Sequence, residues 1–339
     1  MNTQAQAGTS QVIQFSSYGD ASQLEPALRT LEPLAPDAVR VRQRVAGVNF
    51  VDVYHRVGRY PLPLPGVPGV EGSGVIEAVG ADVSGVKVGQ RVAWVARSGG
   101  YAEHVDLDAA RMIVLPDDVS FEQGGAGMLR AMTGYLLLNH YARLQRGQTV
   151  LVHAAAGGLG LLLTQWAKGM GACVIGTVSS DEKAALARSR GLDHAVNYRK
   201  EDFVAAVGDL TNGKGADVVI DGIGGQHVLR SIAATRSGGM TISVGSVSGE
   251  GAPAEALPAA QARGVLLERP SILTFIGDLQ QYRAAADAAV TQLQAGLQID
   301  IADRLPLKDA AQAHRLLESG AVQGALLLDL VVQTINPAA

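Results

Sequence analysis

The sequence predicts an α/β protein: a doubly wound parallel sheet joined to a second, mainly β domain. Three observations predict it. From about Ser120 onward, short apolar β runs alternate with helical spacings, the order that gives a parallel sheet with helices on both faces. A glycine turn, HAAAGGLG over 153–160, separates one such run from the next helix. Before Ser120, short alternating strands sit between proline and glycine punctuation, the pattern of a barrel-like or sandwich-like β domain.

In the first part, residues 39–45 (VRVRQRV) alternate apolar and polar side chains, as a half-buried strand does. Residues 74–79 (GVIEAV) and 90–95 (QRVAWV) read as two more strands. Turn signals lie between them at Pro61, Pro63, Pro65, Gly66, Pro68, Gly69, Gly80, Gly85 and Gly89. Next, residues 121–143 carry helical spacing. A β run at 149–153, a helix at 158–170, a β run at 172–178 and a helix containing 181–190 follow. Residues 196–198, 218–221 and 240–244 continue the β series. Helices are expected near 279–295 and 307–319, and a last strand at 325–331. That strand has the pattern to return to the first domain, although sequence alone does not pair it.

Composition narrows the class. The 339 residues suit about two domains. Apolar residues are 47% and charged residues 18%, against a usual ~25% charged, which excludes disorder and a long charged coiled coil. A net charge of −4 and 4% aromatics disfavour dedicated nucleic-acid binding. The single cysteine, Cys173, excludes an intrachain disulfide framework, a four-cysteine zinc site and a catalytic zinc of the Cys₂His type. No H-E-x-x-H pair and no G-x-S-x-G elbow occur. The first eleven residues lack the basic start and apolar stretch of a signal peptide, and no run approaches the ~18 apolar residues of a membrane span. A cytoplasmic enzyme is therefore expected.

Laid on G-x-G-x-x-G, residues 155–160 read AAGGLG, with Ala155 in the first slot. Gly157 would let the backbone approach a pyrophosphate, and Gly160 would let the helix pack close to the strand. The start of that helix supplies free N–H groups and partial positive charge. A tight turn without ligand is the plainer alternative. About 20 residues on, an NAD site wants an acid for the ribose hydroxyls. Here residues 176–183 read GTVSSDEK. The hydroxyls of Ser179 and Ser180 stand in its place and Lys183 follows, which favours NADP over NAD. Asp181 dissents, and Ser180 can equally cap the next helix with Asp181 and Glu182 in its first turn. Residues 208–215 (GDLTNGKG) nearly match a phosphate loop, but Gly215 replaces the Ser or Thr and a strand follows, so a surface turn is expected.

Several segments together resemble the medium-chain dehydrogenases/reductases: 47–54 (GVNFVDVY), 58–61 (GRYP), 68–74 (PGVEGSG), 89–92 (GQRV), 153–160, 176–183, 197–199 (NYR), 269–271 (RPS), and 306–310 (PLKDA) with His314. The chain is most similar to the zinc-free, zeta-crystallin-like quinone oxidoreductase branch, in order, from about Gln11 to Leu330. The resemblance implies a GroES-like β-barrel domain over 1–128 and 273–339, a Rossmann domain over 129–272, and a homodimer joined through the edges of the Rossmann sheets. It implies NADPH as cofactor and a quinone as substrate, with activated alkenes such as enones or haloacrylates as the alternative. RNA binding or a crystallin-like structural role is the alternative of another class. Asn49 and Val70 stand where zinc-bearing relatives carry Cys and His, so no metal is expected.

By the same resemblance, Asn49, Phe50, Asp52, Tyr54 and Tyr60 line the cleft beside the nicotinamide, and Thr133 faces it. Asn49, Tyr54, Tyr60, Arg130 and Thr133 are the candidate catalytic residues. Arg130 stands where relatives carry Lys, as a retained cation or as part of a solvated helix face. The pyrophosphate falls to Ala156, Gly157, Gly158, Leu159 and Gly160. Ser179, Ser180, Lys183 and Tyr198 surround the adenosine and its 2′-phosphate. Gly222, Val244, Gly245 and Ser246 lie under the cofactor, and Pro270, Ser271 and Ile272 near its nicotinamide end. Leu136, Gly320 and Val244 depart from residues common in relatives. Asn49 capping a turn, core tyrosines and a back-bonded Thr133 are the plainer alternatives.

Overall fold

A computed structural model describes residues 8–96 and 98–330. The chain divides into two units: one runs to Leu129 and resumes at Ile301, the other is Arg130–Asp300.

In the first unit, β1 (Thr9–Gln14) and β2 (Glu25–Thr30) form an antiparallel pair. The long strand β3 (Ala38–Val48) leads straight into helix α1 (Phe50–Arg56). Then come β4 (Glu71–Val79), β5 (Arg91–Val95), β6 (His104–Asp108) and β7 (Ile113–Val114). Helix α2 (Phe121–Gly134) crosses the boundary between units. The unit is completed from the far end of the chain by the strand Ile301–Pro306, a helix at Ala310–Glu318 and the strand Ala325–Asp329. The last strand pairs antiparallel with β3, with Leu327 opposite Gly47, which settles where it returns; its expected final residue, Val331, lies outside the described residues. The sheet has seven strands, six along one path and β6 branching from β3.

β3 is more buried than its alternation implies. Arg40 is buried because its guanidinium holds both Asp106 oxygens, at 2.8 and 2.7 Å. Gln43 is buried because its amide donates to the Gly100 and Ala102 carbonyls. Val39 and Val41 join Ile76, Val92 and Trp94 in one buried apolar cluster.

In the second unit, α2 continues as a π-helix over Tyr135–Tyr141, where Ala142 N–H reaches back five residues to the Leu137 carbonyl at 2.9 Å. There follow β8 (Thr149–Val152), α3 (Gly158–Gly169), β9 (Cys173–Val178), α4 (Asp181–Ser189), β10 (His194–Asn197) and α5 (Phe203–Leu210). The series closes with β11 (Ala216–Asp221), α6 (His227–Ala234), β12 (Thr235–Ser243), α7 (Ala256–Ala262), β13 (Leu266–Glu268), α8 (Ile272–Phe275) and α9 (Leu279–Gln294). All six strands are parallel, in the order β10-β9-β8-β11-β12-β13. By position in the unit this is 3-2-1-4-5-6, the doubly wound dinucleotide-binding order. Residues 208–215 end α5 and turn into β11, with Gly213 and Gly215 at positive φ. Residues 273–300, expected with the β domain, group with this unit. Phe275 packs edge-on against His140 of the π-helix, and Arg190 holds Asp300. The two C-terminal elements of the first unit, Ile301–Pro306 and Ala325–Asp329, are β14 and β15, and Ala310–Glu318 is α10.

Candidate active site

The strand order of the Rossmann sheet reverses between β8 and β11, and ligands of such sheets bind beyond the carboxyl ends of the strands at that point. The glycine turn leaves β8 there. Ala154 adopts φ 51°, a left-handed conformation costing a residue with a Cβ ~1–2 kcal/mol. A Cβ on Gly160 would lie 2.3 Å from the Ala154 oxygen and 2.8 Å from the Ala155 Cα, so close packing of α3 on the turn demands glycine. A Cβ on Gly157 would approach only the Ala154 oxygen, at 3.3 Å. Gly157 is the N-cap of α3 and brings no side chain to the first-turn N–H groups, which leaves Gly158, Leu159 and Gly160 aligned as an anion cradle. Ala156 is buried behind them.

At the next strand end, Ser180 Oγ accepts from Lys183 N–H at 3.3 Å and caps α4. The capping alternative is thus realised. Asp181 is turned toward the end of β10: Lys200 Nζ donates to it at 2.7 Å and Asn197 Nδ2 at 3.2 Å. These bonds hold its carboxyl below the usual range. The acid that argued for NAD is therefore already paired with a cation. Tyr198 N–H bonds the Val178 carbonyl at 3.1 Å, so Tyr198 and the Ser179–Lys183 segment share one edge. Lys200 was not foreseen.

The ends of β11 and β12 are tied together. Val244 N–H donates to the Asp221 carbonyl at 2.8 Å, and a Cβ on Gly245 would meet the Gly222 oxygen at 3.0 Å. This gathers Gly222, Val244, Gly245 and the buried Ser246. Pro270, Ser271 and Ile272 follow β13, and Ser271 caps α8 by accepting from Thr274 N–H at 3.3 Å. Beneath the strand ends lies a buried cluster that sequence reasoning missed. Asp221 Oδ1 accepts from Ile223 and Gly224 N–H, and Oδ2 accepts from Ser231 Oγ at 2.6 Å and His227 Nδ1 at 3.0 Å. Because Ser231 donates to the carboxylate, it accepts from His153 Nε2 at 3.1 Å, and His153 Nδ1 then accepts from Thr177 at 3.0 Å. Burial works to raise the Asp221 pKa, but the bonds from His227 and Ser231 and the two imidazoles hold it far below the usual range. Burial, reinforced by His227, lowers His153 to about 3. His153, Asp221 and His227 could converge on a metal, with ligating atoms within 4.8 Å. The protein's own donors and acceptors already satisfy Asp221 and His153, so the cluster is accounted for as a brace of the β8 and β11 ends.

In the first unit, Asn49 starts α1 and is buried. Its Nδ2 donates to Glu71 Oε1 at 2.8 Å, while Leu129 N–H occupies Oε2 at 2.7 Å. A Cβ on Gly47 would fall 2.3 Å from Glu71 Oε1. Phe50, Tyr54 and Tyr60 come together. The Tyr54 and Tyr60 rings meet edge-on at 5.5 Å, Phe50 lies 6.4 Å from Tyr54, and the Arg59 guanidinium sits 4.8 Å over Tyr54. Tyr60 is exposed, so the core-tyrosine alternative fails for it. Asp52, expected at the cofactor, has no exposed surface. Its oxygens are taken by Asn49 N–H at 2.9 Å, Gly69 N–H at 3.0 Å and Tyr101 Oη at 3.3 Å. It works on its own helix and not as an open contact. Arg130 and Thr133, three apart on one face of α2, are both buried, which removes the solvated-face alternative. No helix of the described residues is long and apolar enough to cross a membrane.

Family models match both units: an alcohol dehydrogenase GroES-like domain over residues 35–117 and a zinc-binding dehydrogenase domain over 158–291. A quinone oxidoreductase of Pseudomonas aeruginosa is 38% identical over 321 residues, 93% of this chain and 98% of that protein. A 2-haloacrylate reductase of a Burkholderia species is 36% identical, over 86% of this chain and 91% of that protein. Among solved structures, the Escherichia coli quinone oxidoreductase complexed with NADPH has a TM-score of 0.90 at 34% identity, covering 95% of this chain and 100% of that one.

Proposed function

Because the chain belongs to the zinc-free quinone oxidoreductase branch of the medium-chain dehydrogenases/reductases, we propose that it is an NADPH:quinone oxidoreductase. The observation that carries this is the glycine turn at the sheet's switch point. Gly160 is required by the protein's own backbone, whereas Gly157 faces room that a pyrophosphate would fill. When bound, NADPH supplies hydride from C4 of its dihydronicotinamide.

The chain's own residues would do the rest. Ala156, the close backbone approach at Gly157 and the N–H groups of Gly158, Leu159 and Gly160 hold the pyrophosphate. Ser179, Ser180, Lys183 and Tyr198 hold the adenosine and 2′-phosphate, with Asp181 held off by Lys200. Gly222, Val244, Gly245, Ser246, Pro270, Ser271 and Ile272 support the remainder. Phe50, Tyr54 and Tyr60 offer aromatic faces to a planar quinone, and Glu71 fixes the plane of the Asn49 amide. Asn49, Arg130 and Thr133 supply donors and a cation toward charge that develops on the acceptor. Asn49 and Val70 in place of metal ligands support polarisation without zinc. The kinship with a 2-haloacrylate reductase supports a second reading, reduction of activated C=C bonds. A homodimer in the cytoplasm completes the proposal; the short edge strand β13, with Leu266 half-exposed, supports pairing there.

Fluorescence titration with NADPH and NADH tests the cofactor reading. Lys183→Ala is expected to raise the NADPH dissociation constant about tenfold, equivalent to ~1.4 kcal/mol for one charge-assisted contact, and to leave NADH nearly unchanged. Equal losses for both would remove Lys183 from the phosphate site. Turnover of 1,4-benzoquinone against small enones then decides the substrate class; activity with enones alone would overturn the quinone assignment.

A further inference from the structure

We infer that Tyr101 and His314 are positioning residues for quinone reduction, holding helix α1 and so Asn49 and Tyr54 through the buried Asp52 carboxylate. The inference rests on the proposed placement of Asn49 and Tyr54 at the substrate.

The bond directions are fixed by chemistry. Arg56 can only donate, so the contact of its Nη1 with His314 Nδ1 at 3.2 Å makes Nδ1 the acceptor. His314 therefore carries its proton on Nε2 and donates to Tyr101 Oη at 3.0 Å. Tyr101 in turn donates to Asp52 Oδ2 at 3.3 Å. Asp52 passes the constraint on: Oδ2 holds Asn49 N–H, and Oδ1 holds Gly69 N–H. The opposite end is anchored where Arg56 Nη1 and Nη2 grip Glu318 at 3.0 and 2.7 Å and Nε donates to the Gly19 carbonyl at 3.1 Å. A Cβ on Gly69 would lie 2.6 Å from Tyr101 N and Cδ1, so the loop is shaped to admit this tyrosine.

The chain is a brace and not a proton wire. Arg56 does not release a proton, and every bond points toward Asp52, whose oxygens meet donors alone. That donor set fits the ionised carboxylate. A protonated Asp52 would have to break at least one bond, because its own O–H finds no acceptor. The groups around Asp52 are Glu71 from β4, Tyr101 from the loop before β6, and Arg56 and His314 acting through Tyr101. Burial first, and then Glu71, raise the Asp52 pKa to about 7, against the bonds from Asn49, Gly69 and Tyr101. His314 is held neutral by burial and by Arg56, at about 3.

The test is kcat/KM for 1,4-benzoquinone from pH 5.5 to 9, with NADPH affinity read by fluorescence. Tyr101→Phe removes one hydroxyl. It is expected to move the acidic limb up by about one pH unit and to lower kcat/KM at pH 7 about fivefold, with recovery by pH 9 and unchanged NADPH affinity. His314→Gln, which keeps a donor toward Tyr101, should hold the limb near wild type. His314→Asn, which keeps only the acceptor for Arg56, should move it. A folded Tyr101→Phe enzyme with the wild-type limb overturns the inference, even if its melting temperature falls. If Tyr101→Phe does not fold, the limb of His314→Asn decides in the same way. Asn49→Ala separates the two levels. Unchanged turnover in that variant defeats the site reading, whereas lost turnover beside an unmoved Tyr101→Phe limb defeats the brace alone.

Discussion

Asp52 and Asp221 are both fully buried, one in the first turn of α1 and the other ending β11, and each is linked through a hydroxyl to a histidine. Their acidities are nevertheless driven apart. Asp52 rises to about 7, whereas Asp221 falls far below the usual carboxylate range. Burial acts upward on both, so the sign comes from the neighbours. Asp52 has the like-charged Glu71 beside it and takes its side-chain bond from the neutral Tyr101 hydroxyl, not from an imidazole. Asp221 has a direct bond from His227 and a second imidazole, His153, one serine away. The first carboxylate is held in a state that can change near neutral pH, and the second is locked. The locked one lies under the cofactor end of the Rossmann sheet, where rigidity serves a fixed cradle. The labile one sits in the first turn of the helix proposed to present Asn49 and Tyr54.

The largest expected effect separates the two by stability. Asp221→Ala strands the Ile223 and Gly224 N–H groups, Ser231 and His227 at once, and is expected to cost about 3–5 kcal/mol in urea unfolding. Asp52→Asn keeps the shape and removes a charge from beside Glu71. Its amide turns a donor toward groups that themselves donate, so it should cost about 1–3 kcal/mol while depressing quinone turnover. A larger stability loss in Asp52→Asn would erase the contrast.

A middle-sized effect comes from pH. His55, His153 and His314 are lowered by burial to about 4, 3 and 3, against ~6.5 in the unfolded chain. Between those values the unfolded state binds the extra proton. Their neutral burial therefore supports the fold fully above pH ~6.5 and progressively less below it, by up to ~1.4 kcal/mol per histidine per pH unit. Asp52 has the opposite sign: its raised folded value contributes stability below ~3.8 that is lost as pH rises through about 7. The urea midpoint should therefore fall from pH 7 to 5, and fall more steeply in Asp52→Asn, where the opposing contribution is absent. Parallel slopes in the two proteins would show that Asp52 does not titrate in that window.

What was legible in the sequence follows the reach of each interaction. The glycine turn, five of the six Rossmann strands and the capping alternative for Ser180 depend on neighbours within a few residues and are read from them, whereas the three-residue strand β13 and the order of the strands come only from the folded sheet. The π-helix over 135–141 shares the apolar spacing of the α-helix before it, so periodicity shows one helix where there are two geometries. Arg40 and Gln43 look solvent-facing because their partners, Asp106 and the Gly100 and Ala102 carbonyls, come from other strands and loops. Tyr101 and His314 are 213 residues apart, and His227 gives no signal until β11 and α6 fold side by side. The assignment of residues 273–300 to the β domain followed the resemblance, while packing of Phe275 on the π-helix places them in the Rossmann unit.

The smallest expected effect lies where both clusters reach the surface. Each ends on an arginine ion pair: Arg56 with Glu318 behind His314, and Arg230 with Asp202, where Arg230 lies over the Phe203 ring that stacks on His227. The pairs differ in exposure. The Arg56 side chain is 1% exposed and Arg230 is 49%. A guanidinium out of water loses more when its partner becomes neutral than one that water can re-solvate. Glu318→Gln should therefore cost about 1 kcal/mol, and Asp202→Asn, which keeps the α5 cap, less than about 0.5 kcal/mol. The first loss should persist in 0.5 M salt, while any loss in the second should vanish there, because only exposed charges are screened at ~4–5 Å. Equal, salt-sensitive losses in the two variants would show that the buried end of Arg56 is hydrated, and that its hold on His314 is weaker than the brace requires.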